Sequence, residues 1–153
     1  MATVVLAGGG TAGHIEPALA VARQWAVVHP DDNLIFLGTS SGLETTLVPA
    51  ANFPLHLIPR VRISRTPSAS WLKIPGTLIA SVMSCSKVIK YADAVVGFGG
   101  YVSAPAYIAA KLNGVPIVIH EANAKPGWAN RLGATFTNHL AVAHPVELSL
   151  IHI

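Results

Sequence analysis

Short apolar runs of strand length alternate with helical patterns along the whole chain. The runs are Thr3–Ala7, Leu34–Gly38, Leu55–Pro59, Ala94–Gly97, Ile117–His120 and His139–Ala143. Between them lie helical patterns at Ile15–Val28, Leu43–Ala51, Trp71–Tyr91, Ser103–Leu112 and Pro126–Ala134. Strands that are continuously apolar must be covered on both faces, and strand–helix alternation supplies the cover. The pattern predicts an α/β fold with a Rossmann-like, doubly wound parallel sheet. Pro17 is expected in the first turn of its helix, where a missing N–H costs little. Asn113 and Gly114 are expected to close the fourth helix with a left-handed cap. Arg60–Ser70 has no pattern and reads as a loop.

In such a sheet, with strand order 3-2-1-4-5, ligands bind beyond the carboxyl ends of strands one and four. The loop after strand one is Gly8-Gly9-Gly10-Thr11-Ala12-Gly13-His14. Glycines let backbone N–H groups approach an anion, and a helix N-terminus favours negative charge. Strand four is followed by a second glycine-rich loop, Phe98-Gly99-Gly100-Tyr101-Val102-Ser103. After strand five comes Glu121-Ala122-Asn123-Ala124-Lys125-Pro126-Gly127. All three loops fall on one rim.

The spacing Gly8-x-Gly10-x-x-Gly13 also fits a dinucleotide fingerprint. That fingerprint wants an acidic residue at the end of strand two, and Gly38-Thr39-Ser40 stands there. No Walker-type lysine follows the glycines, which disfavours a nucleoside triphosphatase. His14 sits at the first turn of the first helix, either as a general base for a hydroxyl or as a partner for a diphosphate. Packing against the next loop is its plain structural alternative. Gly99, Gly100, Tyr101 and Ser103 suit a second anion nest, with Ser103 as cap and hydroxyl donor. Glu121 and Asn123 suit hydroxyl or amide recognition. His120 and Glu121 lack a third ligand at metal spacing. Arg60, Arg62 and Arg65 precede an apolar helix containing Trp71, Leu72, Lys73, Leu78 and Ile79. That combination fits either an anionic membrane surface or a core helix behind a solvated loop.

Composition narrows the setting. Of the 153 residues, 52% are apolar and only 11% are charged, against about 25% charged in typical chains. A surface this lean predicts a large covered face or a piece of a longer protein. The net charge of +3 is too mild to imply a nucleic-acid partner. Cys85 is the lone cysteine, which fits a reducing compartment. No apolar run reaches the ~20 residues of a membrane span, and the N-terminus lacks a secretory pattern.

Taken together, Gly9-Gly10-Thr11-Ala12-Gly13-His14 with Pro17-Ala18-Leu19-Ala20, then Gly99-Gly100-Tyr101-Val102-Ser103, then His120-Glu121-Ala122-Asn123, resemble the N-terminal half of the MurG family. These are the bacterial UDP-N-acetylglucosamine–N-acetylmuramyl-(pentapeptide) pyrophosphoryl-undecaprenol N-acetylglucosaminyltransferases of peptidoglycan synthesis. The resemblance runs from about Val4 to about Val142. It implies the first of two facing Rossmann-like domains, the arrangement called GT-B, with residues 1–146 as the acceptor-binding domain and 147–153 as an atypical tail. The C-terminal donor domain is then missing.

It further implies sugar transfer from UDP-N-acetylglucosamine to lipid I, giving lipid II, at the cytoplasmic face of the plasma membrane. No metal or other cofactor is implied. His14 matches a residue facing the acceptor. Thr11, Ala12, Gly13 and Asn123 match donor contacts, while Gly9, Gly10, Gly99, Gly100, Tyr101, Ser103 and Glu121 fall to the acceptor diphosphate. Ala12 and Ala122 depart from the family's usual glycine and glutamine. Two other readings stay in view from the residues alone: a nicotinamide-dependent oxidoreductase domain, and a non-catalytic module binding an anionic lipid.

Overall fold

The computed structural model describes residues 1–61 and 72–145. Six strands form one sheet: β1 (Thr3–Gly8), β2 (Asn33–Gly38), β3 (Leu55–Leu57), β4 (Ala94–Gly99), β5 (Ile117–Glu121) and β6 (Leu140–Val142). Their order is β3-β2-β1-β4-β5-β6, and every pairing is parallel. Five helices connect them: α1 (Ala12–Val28), α2 (Glu44–Ala50), α3 (Ile74–Ile89), α4 (Ser103–Asn113) and α5 (Trp128–Gly133). The predicted alternation and strand order both hold, with β6 extending the sheet beyond β5.

Alternation along β1 builds two cores. Val4 and Leu6 face Ile15, Ala18 and Leu19 of α1, with Phe36 and Phe98 beside them. Val5 and Ala7 face the opposite layer, with Cys85 and Ile89 of α3 and Ala106, Tyr107 and Ala110 of α4. The central strand is therefore apolar from Val4 to Ala7 because neither face meets water there. Burial pushes the Cys85 thiol up to about 12, so it stays protonated and serves as a small core side chain.

Several helix starts differ from expectation, that of α3 among them, which begins at Ile74. α1 begins at Ala12, one turn before Ile15, with Thr11 as its N-cap and no side-chain capping bond. Pro17 consequently lies inside the helix, where its missing N–H leaves the Gly13 carbonyl without the usual helical donor. α5 begins at Trp128, two residues after Pro126. Gly114 closes α4 with φ 68°. Of the expected helix Trp71–Tyr91, Trp71 lies outside the described residues, as do Arg62, Arg65 and the tail 147–153.

Helix α4 crosses β4 closely because Gly97 has no side chain. A Cβ there would sit 2.0 Å from the Tyr107 hydroxyl oxygen, and Tyr107 is fully buried. Gly97→Ala should therefore lower unfolding stability by about 1–3 kcal/mol through overpacking. Urea denaturation of the two proteins measures the difference.

Candidate functional site

The rim is assembled at the carboxyl ends of β1 and β4, where the sheet reverses direction of winding. Ala7 pairs with Gly97, but Gly8 pairs with Gly99. The extra residue is Phe98, and such a bulge leaves one backbone unit outside the ladder. The freed Phe98 carbonyl accepts a hydrogen bond from Nδ1 of His14, at 2.9 Å. A carbonyl only accepts, so Nδ1 carries the proton, and in the neutral imidazole Nε2 is the acceptor. His14 is half-buried and lines a hollow of about 240 Å³ shared with Gly10, Gly100, Tyr101 and Trp128. With Nδ1 spent on Phe98, Nε2 is the ring nitrogen left for a ligand.

Gly99 and Gly100 adopt φ of 93° and 83°, a region that side chains rarely tolerate. They also press on the imidazole. A Cβ at Gly99 would lie 3.1 Å from His14 Nδ1, and one at Gly100 would lie 2.3 Å from the Gly9 carbonyl oxygen. The two loops thus close around His14 at backbone distance.

Ser103 corrects an expectation. Its hydroxyl is fully buried, donates to the Ala7 carbonyl at 2.6 Å and accepts the Gly99 N–H at 2.9 Å. It ties β1 to the β4 loop from inside and offers nothing to the rim. Nor does it cap α4, whose N-cap is Val102. Glu121 is likewise an anchor. One of its oxygens accepts the Asn123 N–H and side-chain amide, each at 2.9 Å. The other accepts the Gly127 N–H at 3.1 Å and the Asn130 amide at 2.9 Å. Its edge reaches the hollow, but its hydrogen-bonding capacity is committed to the β5–α5 loop. The exposed Asn123 keeps its side-chain oxygen free of Glu121.

Two residues were not legible as site residues. Glu44, fully buried, accepts the Gly10 N–H at 3.0 Å and the Thr39 N–H at 2.8 Å. This is the acidic group after strand two, displaced onto α2 and aimed at the first loop rather than at a ribose. Asn130, also buried, accepts from the Tyr107 hydroxyl at 2.7 Å while donating to Glu121. Burial raises the Tyr107 phenol above its ordinary value, which keeps that donor neutral.

The amides of Gly10 and Gly99 are therefore turned inward, contrary to the expectation that they hold an anion. The open donors lie one step outward. The N–H groups of Ala12 and Gly13 begin α1, and those of Gly100 and Tyr101 belong to the second loop. None of the four has a backbone acceptor among the described residues outside the helix ladders. Tyr101 is exposed, and the Arg60 guanidinium stands 5.0 Å from its ring centroid while donating to the Ser41 hydroxyl.

Leu72, just before α3, and Ile79 and Met83 on it are 86%, 59% and 62% exposed. Spacings of seven and four put Ile79 and Met83 on one helical face, in line with Leu72 before the helix start. Lys73 is exposed beside them, whereas Leu78 is half-buried and turns toward α4. Among the described residues no helix is long and apolar enough to cross a membrane.

A cleft at the switch point, walled by two glycine loops around a histidine, is the ligand-binding place of a doubly wound α/β fold. The model of the glycosyltransferase family 28 N-terminal domain matches residues 4–142, and the chain belongs to that family. It is 51% identical over 144 residues to the UDP-N-acetylglucosamine--N-acetylmuramyl-(pentapeptide) pyrophosphoryl-undecaprenol N-acetylglucosamine transferase of Streptomyces avermitilis, covering 93% of this chain and 40% of that protein. The protein of the same name from Frankia casuarinae is 50% identical, with 94% and 39% covered. Crystalline MurG of Acinetobacter baumannii superposes with a TM-score of 0.80 at 32% identity, over 95% of this chain and 42% of that one. The Streptomyces glycosyltransferase SsfS6, at 13% identity and a TM-score of 0.60, shares the fold. The chain spans about 40% of the length of the curated relatives it matches. Family membership sets aside the oxidoreductase reading.

Hydrogen bonding makes both anchoring carboxylates acid-sensitive. Burial pushes Glu44 and Glu121 up, but the amides and hydroxyl they accept from outweigh it, and both end below the ordinary 4.5. The unfolded chain then binds protons more readily than the folded one. Their stabilisation is complete above the ordinary value and is lost as pH falls through the lowered folded values. Glu44→Gln should start about 1–3 kcal/mol less stable near neutrality and lose less on acidification. Urea titrations from about pH 7 to about pH 3 compare the two slopes.

Proposed function

We propose that this chain is the acceptor-holding half of an enzyme that moves N-acetylglucosamine from UDP-N-acetylglucosamine to lipid I, forming lipid II. The observation that carries this reading is the His14 ring, held by the Phe98 carbonyl through Nδ1 and facing a hollow rimmed by open amides. The acceptor hydroxyl attacks the anomeric carbon of the donor sugar. The bond from that carbon to the uridine diphosphate oxygen breaks, and the diphosphate leaves with the electron pair. The hydroxyl proton passes to His14 Nε2, directly or through one water.

The acceptor diphosphate lies along Gly9, Gly100 and Tyr101, with Gly100 and Tyr101 supplying the unspent N–H groups. Thr11, Ala12, Gly13 and Asn123 face the donor, and the first turn of α1 opposes its charge. The remaining donor contacts belong to a second domain outside these 153 residues, which also excludes water when it closes. Residues 1–146 act as the first domain. Membrane attachment is peripheral, at the cytoplasmic face, through Leu72, Lys73 and Ile79 together with Trp71.

Three measurements test the reading. The 153-residue chain alone should transfer no radiolabelled sugar to a lipid I analogue, because the second domain is absent; turnover by it would overturn the domain assignment. In the two-domain protein, His14→Ala should lower kcat about 10²–10⁴-fold with the fold intact by circular dichroism. A variant retaining full kcat removes His14 from proton transfer. Ile79→Glu should weaken sedimentation with anionic vesicles while leaving the Tm unchanged, since Ile79 is exposed. Unaltered sedimentation would leave the membrane contact elsewhere.

A further inference from the structure

Trp128 opens α5 and lines the hollow together with His14. It is 53% exposed, although the backbone on either side of it is anchored. The Gly127 N–H donates to Glu121 at 3.1 Å, and the Gly127 carbonyl accepts the Arg131 N–H at 3.0 Å. Ala129 and Asn130 are buried, and the Asn130 amide donates to Glu121 at 2.9 Å. Leaving half of a tryptophan in water forgoes much of its burial free energy. Here anchored neighbours hold it out at the edge of a chamber.

The other aromatic ring of the hollow is already engaged. The Arg60 guanidinium stands 5.0 Å from the Tyr101 centroid. The same ring lies against the first loop, where a Cβ at Gly10 would be 3.5 Å from Tyr101 Cδ2. The glycines that line the hollow contribute backbone alone. Among the described residues, Trp128 is therefore the broad apolar surface that the chamber keeps unengaged.

We infer that the Trp128 indole is the platform for the pyranose ring that bears the attacking hydroxyl, and that it sets selectivity for a sugar there. The inference rests on the proposed acceptor site and adds a residue to it. A pyranose is polar around its edge and carries C–H groups on its faces. The electron-rich face of an indole attracts such groups. With one face on Trp128, the ring leaves its edge for His14 Nε2 and for the outward N–H groups of Gly100 and Tyr101. A ring held flat turns little, so its geometry selects which hydroxyl meets the imidazole. The donor's nucleobase is the other flat partner for an indole. His14 in the same hollow favours the sugar, because a hydroxyl facing the imidazole brings its own ring beside it.

Kinetics of the two-domain protein test this. Trp128→Ala should raise KM for a lipid I analogue about tenfold, the contribution of one aromatic stack. KM for UDP-N-acetylglucosamine should hold, and kcat should fall less than in His14→Ala. Trp128→Phe keeps a flat ring and should recover most of the loss, whereas Trp128→Leu, apolar but not flat, should not. Leu recovering as much as Phe would make the contact plain apolar packing and overturn the platform. A rise confined to KM for UDP-N-acetylglucosamine would give the indole to the nucleobase and overturn the sugar assignment. Unchanged constants in all three variants would overturn it as well. Intrinsic fluorescence of the 153-residue chain gives a direct readout. N-acetylmuramic acid 1-phosphate should shift the emission, inorganic phosphate should not, and the shift should vanish in Trp128→Phe. A shift that persists in that variant places the sugar away from the indole. Absence of transfer to the analogue by the unsubstituted two-domain protein would overturn the acceptor site itself, and this inference with it.

Discussion

One hydrogen bond organises the rim: Nδ1 of His14 donates to the Phe98 carbonyl. It exists because the ladder between β1 and β4 slips by one residue at that point. An unslipped ladder would turn that carbonyl into a strand partner and leave the imidazole free to rotate. The slip also brings Gly99 beside Gly8, which delivers the second glycine loop onto the ring. Tautomer, ring orientation and loop approach thus follow from a single irregularity in an otherwise regular sheet.

Around that bond, the polar groups of the rim are mostly spent on one another. Glu44 holds the first loop, Ser103 the second and Glu121 the third. Each accepts backbone N–H groups from loops that have no ladder of their own. The loops are consequently ordered before any ligand arrives, and the outward amides of Ala12, Gly13, Gly100 and Tyr101 are left at fixed positions. Binding to such a rim costs little reordering, which is the property expected of a site that stabilises developing charge.

The fold was legible because burial on two faces writes itself as continuous apolar runs, and all six runs became strands. The ends of the helices were harder. Thr11 is of a type that favours the N-cap, but its side chain makes no capping bond, and the alanine and glycine after it carry no apolar periodicity to mark Ala12 as the first residue. The rim was legible as a location, since three glycine- or amide-rich loops follow strands that the topology gathers. The direction in which side chains point was not. Ser103 and Glu121 look like ligand contacts in sequence and prove to be internal ties. Glu44 and Asn130 look like ordinary helix residues, yet they hold the site together. Their partners are far along the chain, 34 residues for Glu44 and Gly10, and no local pattern encodes such a distance.

The packing around Glu44 carries an evolutionary consequence. A methyl group at Gly38 would lie 2.4 Å from its Cγ, at Gly42 1.9 Å from an oxygen, and at Gly9 3.0 Å from the other oxygen. These three glycines and the glutamate occupy one shared volume. A lineage exploring larger residues at any of the three must first shorten position 44, and at Gly9 also Val102, whose Cγ2 would lie 2.7 Å away; shortening position 44 releases the Gly10 amide. Drift at these four places is therefore concerted: change arrives as a set or is purged one step at a time.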